Sequence, residues 1–160
     1  MLVELVRFNM LDKINKEVMN CQETVFDQFD LDIDERHVGH ALREDLSRLV
    51  NQFGRINQLA SNALLLFKQA EIKRDEVESL AWVSVPKDVK VTMQRKLLKT
   101  QKVEYNGEST TLNEAEKELS VYEYIYNRGK DKQKEIATMI SVGQSLLSWD
   151  RNESSKYGVE

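Results

Sequence analysis

Apolar residues recur along the middle of the chain at alternating intervals of four and three residues. The series is interrupted only by Arg74, and its members are Leu42, Leu46, Leu49, Phe53, Ile56, Ala60, Ala63, Phe67, Ala70, Val77 and Ala81. This a/d spacing is typical of a long helix that packs one face against a partner helix. It predicts a helix over about residues 33–84. We expect the core or oligomer seam to be formed chiefly by Leu42, Leu46, Leu49, Phe53, Ile56 and Phe67.

The ends of this helix and of an earlier one have local signals. Asp32 followed by Glu35 predicts a capping box at the start, and Pro86 ends the helix because proline cannot continue it. A shorter helix is predicted over about residues 9–29, with Cys21 on its apolar face as a core residue.

A third helix is predicted over about residues 111–151, because Thr111 and Glu114 form a second capping-box pattern. Gly129 occupies a seam position in this helix, so we expect loose packing or a bend there. Asn106-Gly107 marks a turn, and the residues before it could be extended. The polar tail, residues 152–160, is predicted to be flexible.

These elements predict an all-α fold in one domain, residues 1–160. Its main part would be a long, antiparallel, coiled-coil-like helical hairpin, preceded by the N-terminal helix. A third helix of about forty residues would leave part of a fifty-residue partner uncovered. We therefore expect a homo-oligomer.

Composition suits a helical protein outside the membrane. Of the 160 residues, 41% are hydrophobic and 31% are charged, and no apolar run approaches the ~20 residues that a membrane span needs. A single cysteine cannot form an intramolecular disulfide and suits a reducing compartment. We therefore predict a cytoplasmic protein without membrane contact.

Candidate chemistry is sparse. Asp30, Asp32 and Asp34 have the spacing that starts a calcium loop, but the glycine and the final glutamate of that loop are missing. His37 and His40 stand three residues apart without an evident third metal ligand. There is no phosphate-binding glycine loop and no nucleophile elbow. We predict that the protein is not an enzyme and needs neither metal nor cofactor.

The strongest functional signal is a basic segment at residues 86–102, which we call the basic elbow. Its six cations and one acid give a local charge of +5, whereas the whole chain has a net charge of −4. The predicted nucleic-acid-binding residues are Lys87, Lys90, Arg95, Lys96, Lys99 and Lys102, with Trp82 and Tyr105 as possible stacking platforms for bases. Alternatively, the elbow pairs with an acidic region of a neighbouring subunit, residues 23–45, which contains eight acids and two arginines.

The order of these parts resembles the UvsY-type recombination mediators of large tailed phages. The resemblance covers about residues 31–152 and lies in four segments: LDIDERH, the long helix that starts ALREDLSRLVNQFGRINQ, the elbow PKDVKVTMQRKLLKTQK and the terminal helix TLNEAEKELSVYEYIYNRGK. It implies a helical, non-catalytic oligomer that binds single-stranded DNA. By the same resemblance, its partners would be a strand-exchange recombinase and a single-strand-binding protein.

Two functions remain open from the sequence. One is a recombination mediator that binds single-stranded DNA and assists recombinase loading. The other is a coiled-coil interaction module, such as an inhibitor or an assembly factor, without DNA contact. The direction in which the elbow's charges face separates them.

Overall fold

The computed structural model describes residues 24–34 and 36–156. In chain order, a 3-10 turn (Val25–Gln28) precedes α1 (Gly39–Ser84), α2 (Val91–Thr100), β1 (Lys102–Tyr105), β2 (Glu108–Thr111) and α3 (Leu112–Lys156). The mostly helical class is thereby confirmed, with one small β-hairpin added to it. No helix in these residues is long and apolar enough to cross a bilayer.

Two compact units can be distinguished by their internal contacts. One combines Met1–Ala60 with Asn127–Glu160, and the other is Ser61–Tyr126. Both long helices contribute to each unit, and we describe the units separately.

In the first unit, α1 begins at Gly39, six residues later than the sequence pattern predicts. The carboxylate of Asp30 accepts a hydrogen bond from the backbone N–H of Asp32 at 3.1 Å, and Asp34 accepts one from that of Arg36 at 3.0 Å. Such side-chain turns compete with helical hydrogen bonding. Asp32 therefore lies in this turn region instead of capping the helix.

The N-terminal side of this unit also differs from the expected helix. Of the helix predicted at 9–29, residues 9–23, including Cys21, lie outside the described residues. The remaining part of the predicted helix, residues 24–29, contains only the 3-10 turn Val25–Gln28 and no α-helix. Phe26, Leu31 and Ile33 are buried, so this segment contributes side chains to the core of the unit.

The heptad pattern of α1 is reproduced in its burial. Every seventh residue, namely Leu42, Leu49, Ile56, Ala63, Ala70 and Val77, is at most 3% exposed. Of the other seam residues, Ala60 and Ala81 are buried, and Leu46, Phe53 and Phe67 are half-buried. The seam positions therefore form the buried face of α1 in both units.

A second heptad series lies in α3, where Ala115, Tyr122, Gly129, Ile136 and Gly143 are buried. In the first unit, the Gly39 N–H donates to Asp150 at 3.1 Å and the Gln133 amide donates to Asn57 at 2.8 Å. The segments of α1 and α3 in this unit therefore run in opposite directions. The two helices contain 46 and 45 residues, so the length difference behind the expected oligomer does not exist.

Gly129 is closely packed, contrary to the loose packing expected from the sequence. A Cβ atom at this position would lie 2.8 Å from Cζ of Phe26 and 3.3 Å from Cβ of Ala60. At Gly143 a Cβ atom would lie 2.5 Å from Cδ2 of Leu46 and 2.9 Å from Cδ1 of Ile33. Both glycines make room for apolar side chains of the same unit.

The second unit has its own core around the β-hairpin. It consists of Val77, Ala81, Val85, Leu98, Val103, Leu112 and Ala115. Asn106 and Gly107 have φ values of 52° and 84°, as the tight turn between β1 and β2 requires, and the strands pair Lys102 with Thr111 and Tyr105 with Glu108. The predicted turn is therefore present.

The start of α3 confirms the second capping box. Thr111 donates its backbone N–H to the Glu114 carboxylate at 2.8 Å, and its hydroxyl accepts from the Glu114 N–H at 3.2 Å. Hydrogen bonds to its carboxylate from the backbone and side chain of Thr111 and from the side chain of Thr110, with the charge of Lys102, hold the pKa of Glu114 below its usual value. The helix continues to Lys156, five residues beyond the predicted end, and residues 157–160 lie outside the described part.

Candidate nucleic-acid interface

The basic elbow contains the short helix α2, which sequence patterns did not predict. Leu98 is buried in the core of the second unit, and Leu97 packs against the same core. At 100° per residue, Arg95, Lys96 and Lys99 fall within about 100° of arc, and each is about 110° or more from the midpoint between Leu97 and Leu98. All three side chains are exposed. The fold therefore brings three of the predicted residues together on one face, which we call the basic face.

The ion pairing of these cations differs. Lys99 lies 3.0 Å from the carboxylate of Glu116, and this ion pair partly offsets the charge of Lys99. With the residues that the structure describes, Arg95 and Lys96 form no ion pair. Two of the three charges on the basic face are therefore available to a ligand.

The other three predicted cations flank the basic face in sequence. Lys87 and Lys90 are exposed in the segment before α2, and Lys102 is exposed at the start of β1. The side-chain amide of Gln94 donates to the backbone carbonyl of Lys87 at 3.1 Å. Gln94 thus holds this segment against the first turns of α2. It carries no charge or aromatic ring, which is why sequence reasoning missed it.

Trp82 lies near the end of α1 and is 44% exposed. Its neighbour Val83 is 83% exposed, and on α2 Val91 and Met93 are 63% and 51% exposed. A partly exposed indole ring can stack on an unpaired base, so Trp82 retains the geometry of a stacking platform.

Tyr105 has different surroundings from those predicted. Its ring is half-buried and packs against the core of the second unit. A hydrogen bond to the carboxylate of Glu76 raises the pKa of the Tyr105 hydroxyl, and burial and the charges of Glu76 and Glu118 act in the same direction. Phosphates would be repelled by these carboxylates. Tyr105 is therefore poorly placed to stack on a base.

Tyr105 also lines an open groove that no sequence pattern indicated. The groove has a volume of about 490 Å³ and is lined by Asp75, Glu76, Ser79, Leu80, Glu104, Tyr105 and Asn106. We call it the acidic groove, since it combines three carboxylates with the ring of Tyr105 and the side chain of Leu80. It could be found only from the structure, because the hairpin brings residues 104–106 to a turn of α1 some thirty residues earlier.

The acidic region at residues 23–45 already has partners within its own unit. Asp45 accepts from Nδ1 of His37 at 2.7 Å, and Arg48 lies 3.2 Å from Asp30. Hydrogen bonds from the Arg36 side chain and backbone lower the pKa of Asp34 to about 2. This pairing reduces the charge that the region offers to the elbow of another subunit.

The two histidines, His37 and His40, contact different acidic residues. His37 contacts Asp45, whereas Nδ1 of His40 lies 3.4 Å from Glu44. Across residues 24–34 and 36–156, no three His, Cys, Asp or Glu side chains are grouped so that they could hold a metal ion.

No protein-family model, no curated protein and no solved structure matches this chain.

Proposed function

We propose that this protein is a non-enzymatic binder of single-stranded DNA that contacts the phosphate backbone through the basic face of α2. The observation that carries the proposal is the pair Arg95 and Lys96, both exposed and without an ion-pair partner among the described residues. Burial of Leu98 fixes the helix that presents them. Pre-positioned cations bind phosphates without reading base sequence.

The role proposed for this binding is that of a recombination mediator in the cytoplasm, in a protein that also forms a homo-oligomer. The resemblance of the segment order to UvsY-type mediators supports this role. A mediator must hold single-stranded DNA of any sequence, which backbone contacts allow. A recombinase and a single-strand-binding protein are the partners that the role requires.

The test is a salt titration of binding to fluorescently labelled single-stranded DNA. The parent protein should bind different sequences with similar affinity, and the affinity should fall steeply with salt. Replacing Arg95 and Lys96 together with alanine should weaken binding to all sequences and flatten the log–log salt slope by ~1 to 2 units.

A matched control is Arg43→Ala with Lys134→Ala, which removes the same charge from exposed positions of the first unit. This control should leave the affinity and the salt slope close to those of the parent. Equal effects of the two double variants would mean that net charge, and not the basic face, governs binding.

One observation favours a second candidate, a protein-interaction module. Val83 and Val91 are more than 60% exposed at the end of α1 and the start of α2. Exposed apolar side chains of this size suit a protein surface better than a phosphate backbone. Failure of the parent to bind single-stranded DNA at low salt would favour this candidate.

A further inference from the structure

We propose that the acidic groove of one copy of this chain receives the basic face of α2 from a second copy. Self-association and nucleic-acid binding would then compete for Arg95 and Lys96. The competition rests on the function proposed above, whereas the contact between copies does not.

The apolar part of the groove lining suits a long cationic side chain. Tyr105 offers part of its ring, and Leu80 is 42% exposed beside it. The alkyl stem of an arginine or lysine packs on such apolar surface, and a guanidinium group is also attracted to an aromatic ring. The groove therefore has a shape and an apolar component that a simple cluster of acids lacks.

The carboxylates that line the groove supply the complementary charge. Within residues 24–34 and 36–156, neither Glu76 nor Glu104 forms an ion pair. Asp75, the third carboxylate, lies 3.1 Å from the guanidinium of Arg74. Two carboxylates without a cation on the groove thus match two cations without a carboxylate on the basic face.

These charges do not pair within one copy, and the structure gives the reason. The buried edge of α2, formed by Leu97 and Leu98, lies away from the middle of the basic face, so turning that face inward would remove Leu98 from the core. A second copy can bring the two surfaces together without that cost. Because the groove and the basic face are different surfaces, the contact is heterologous and leads to a ring or an open chain.

The experiment measures assembly size by sedimentation as a function of protein concentration, at low salt. The parent should self-associate. Glu76→Lys with Glu104→Lys, and separately Arg95→Glu with Lys96→Glu, should each raise the concentration for half-assembly by about tenfold or more, since two attractive pairs become repulsive. A parent that stays monomeric, or either variant assembling like the parent, would overturn the proposal.

Mixing the two charge-reversed variants gives the most specific test. In one variant the groove and the α2 face are both positive, and in the other both are negative. The groove of each variant therefore attracts the α2 face of the other, so the mixture should assemble although neither variant does so alone. A mixture that remains monomeric would contradict the proposed pairing. Circular dichroism melting of each variant checks that the fold is retained. The variant Glu76→Gln with Glu104→Gln, which removes the negative charges without adding positive ones, should disturb the fold less and should also assemble more weakly than the parent.

Nucleic-acid binding separates this proposal from the previous one. The groove variant keeps Arg95 and Lys96, so it should bind single-stranded DNA at least as well as the parent while failing to assemble. Adding an oligonucleotide to the assembled parent should dissociate it. The parent could assemble, and both variants lose assembly, while the parent binds no DNA. That result would refute the nucleic-acid function and would still support the contact between copies. Assembly that is unaffected by bound DNA would refute the competition.

Discussion

Phe26 and Gly129 are packed so closely that residue 129 has no room for a side chain. A Cβ atom at Gly129 would lie 2.8 Å from Cζ and 3.1 Å from Cε2 of the Phe26 ring, which is itself 1% exposed. A buried ring of this kind cannot move aside as the end of a flexible side chain can. The glycine therefore allows the N-terminal segment to pack against α3 in the first unit.

Gly129→Ala should destabilise the protein, whereas Gly54→Ala should stabilise it. Both glycines lie inside helices, but a Cβ at Gly54 meets nothing within 4 Å. Alanine at position 54 should gain up to about 1 kcal/mol of helix propensity. At position 129 overpacking typically costs about 1–3 kcal/mol, which should exceed that gain. Urea denaturation gives both values, and stabilisation by both substitutions would show that Phe26 does not restrict residue 129.

Leu49→Asp should unfold the first unit or strongly lower its melting temperature. Leu49 is completely buried, and an unpaired carboxylate there costs several kcal/mol, comparable to the stability of a small domain. The neighbouring residue Val50 is 54% exposed, so Val50→Asp is the matched control and should change stability by less than ~0.5 kcal/mol. Similar melting curves for the two variants would mean that the buried face of α1 is assigned incorrectly.

Asp27 should make the stability of the first unit depend on acid pH. Burial alone raises the pKa of its carboxyl, but hydrogen bonds from Thr24 and Arg128 and the charge of Arg128 outweigh burial and lower it. The Thr24 hydroxyl and N–H both donate to Asp27 at 2.7 Å. A carboxyl whose pKa is lowered in the folded state stabilises the fold at pH values above its pKa in the unfolded chain, about 3.9. This contribution is lost as the pH falls through the folded-state pKa.

Asp27→Asn should therefore be less stable than the parent at pH 7, and the difference should shrink below about pH 4. Thermal unfolding across this range measures it. A difference that stays constant with pH would indicate that charge on Asp27 contributes nothing.

Trp82 should report DNA binding by fluorescence. The chain contains two tryptophans, so Trp149→Phe leaves Trp82 as the only indole. If the ring stacks on a base, single-stranded DNA should quench its emission, and Trp82→Ala should weaken binding by about tenfold. In the converse variant Trp82→Phe, which retains Trp149, the tryptophan emission should change little when single-stranded DNA is added. Quenching seen only in that variant would place the contact away from the elbow.

The sequence by itself determined the features that depend on a few neighbouring residues or on strict periodicity. The seven-residue spacing from Leu42 to Val77 identified the buried face of α1, because side chains seven apart return to the same side of a helix. Thr111 with Glu114 marked the start of α3, and Asn106-Gly107 marked the turn of the hairpin. In each case the determining interaction lies within the segment that contains the signal.

Only the tertiary structure decided features that depend on residues far apart in the chain. A glycine in a helix can weaken packing or permit close packing, and at position 129 the outcome depends on Phe26, about a hundred residues earlier. Likewise, an aromatic residue beside basic residues suggested a nucleic-acid contact, yet packing of the hairpin beside α1 places Tyr105 against Glu76. Burial and charge environment are set by which elements pack together, and local sequence does not contain that information.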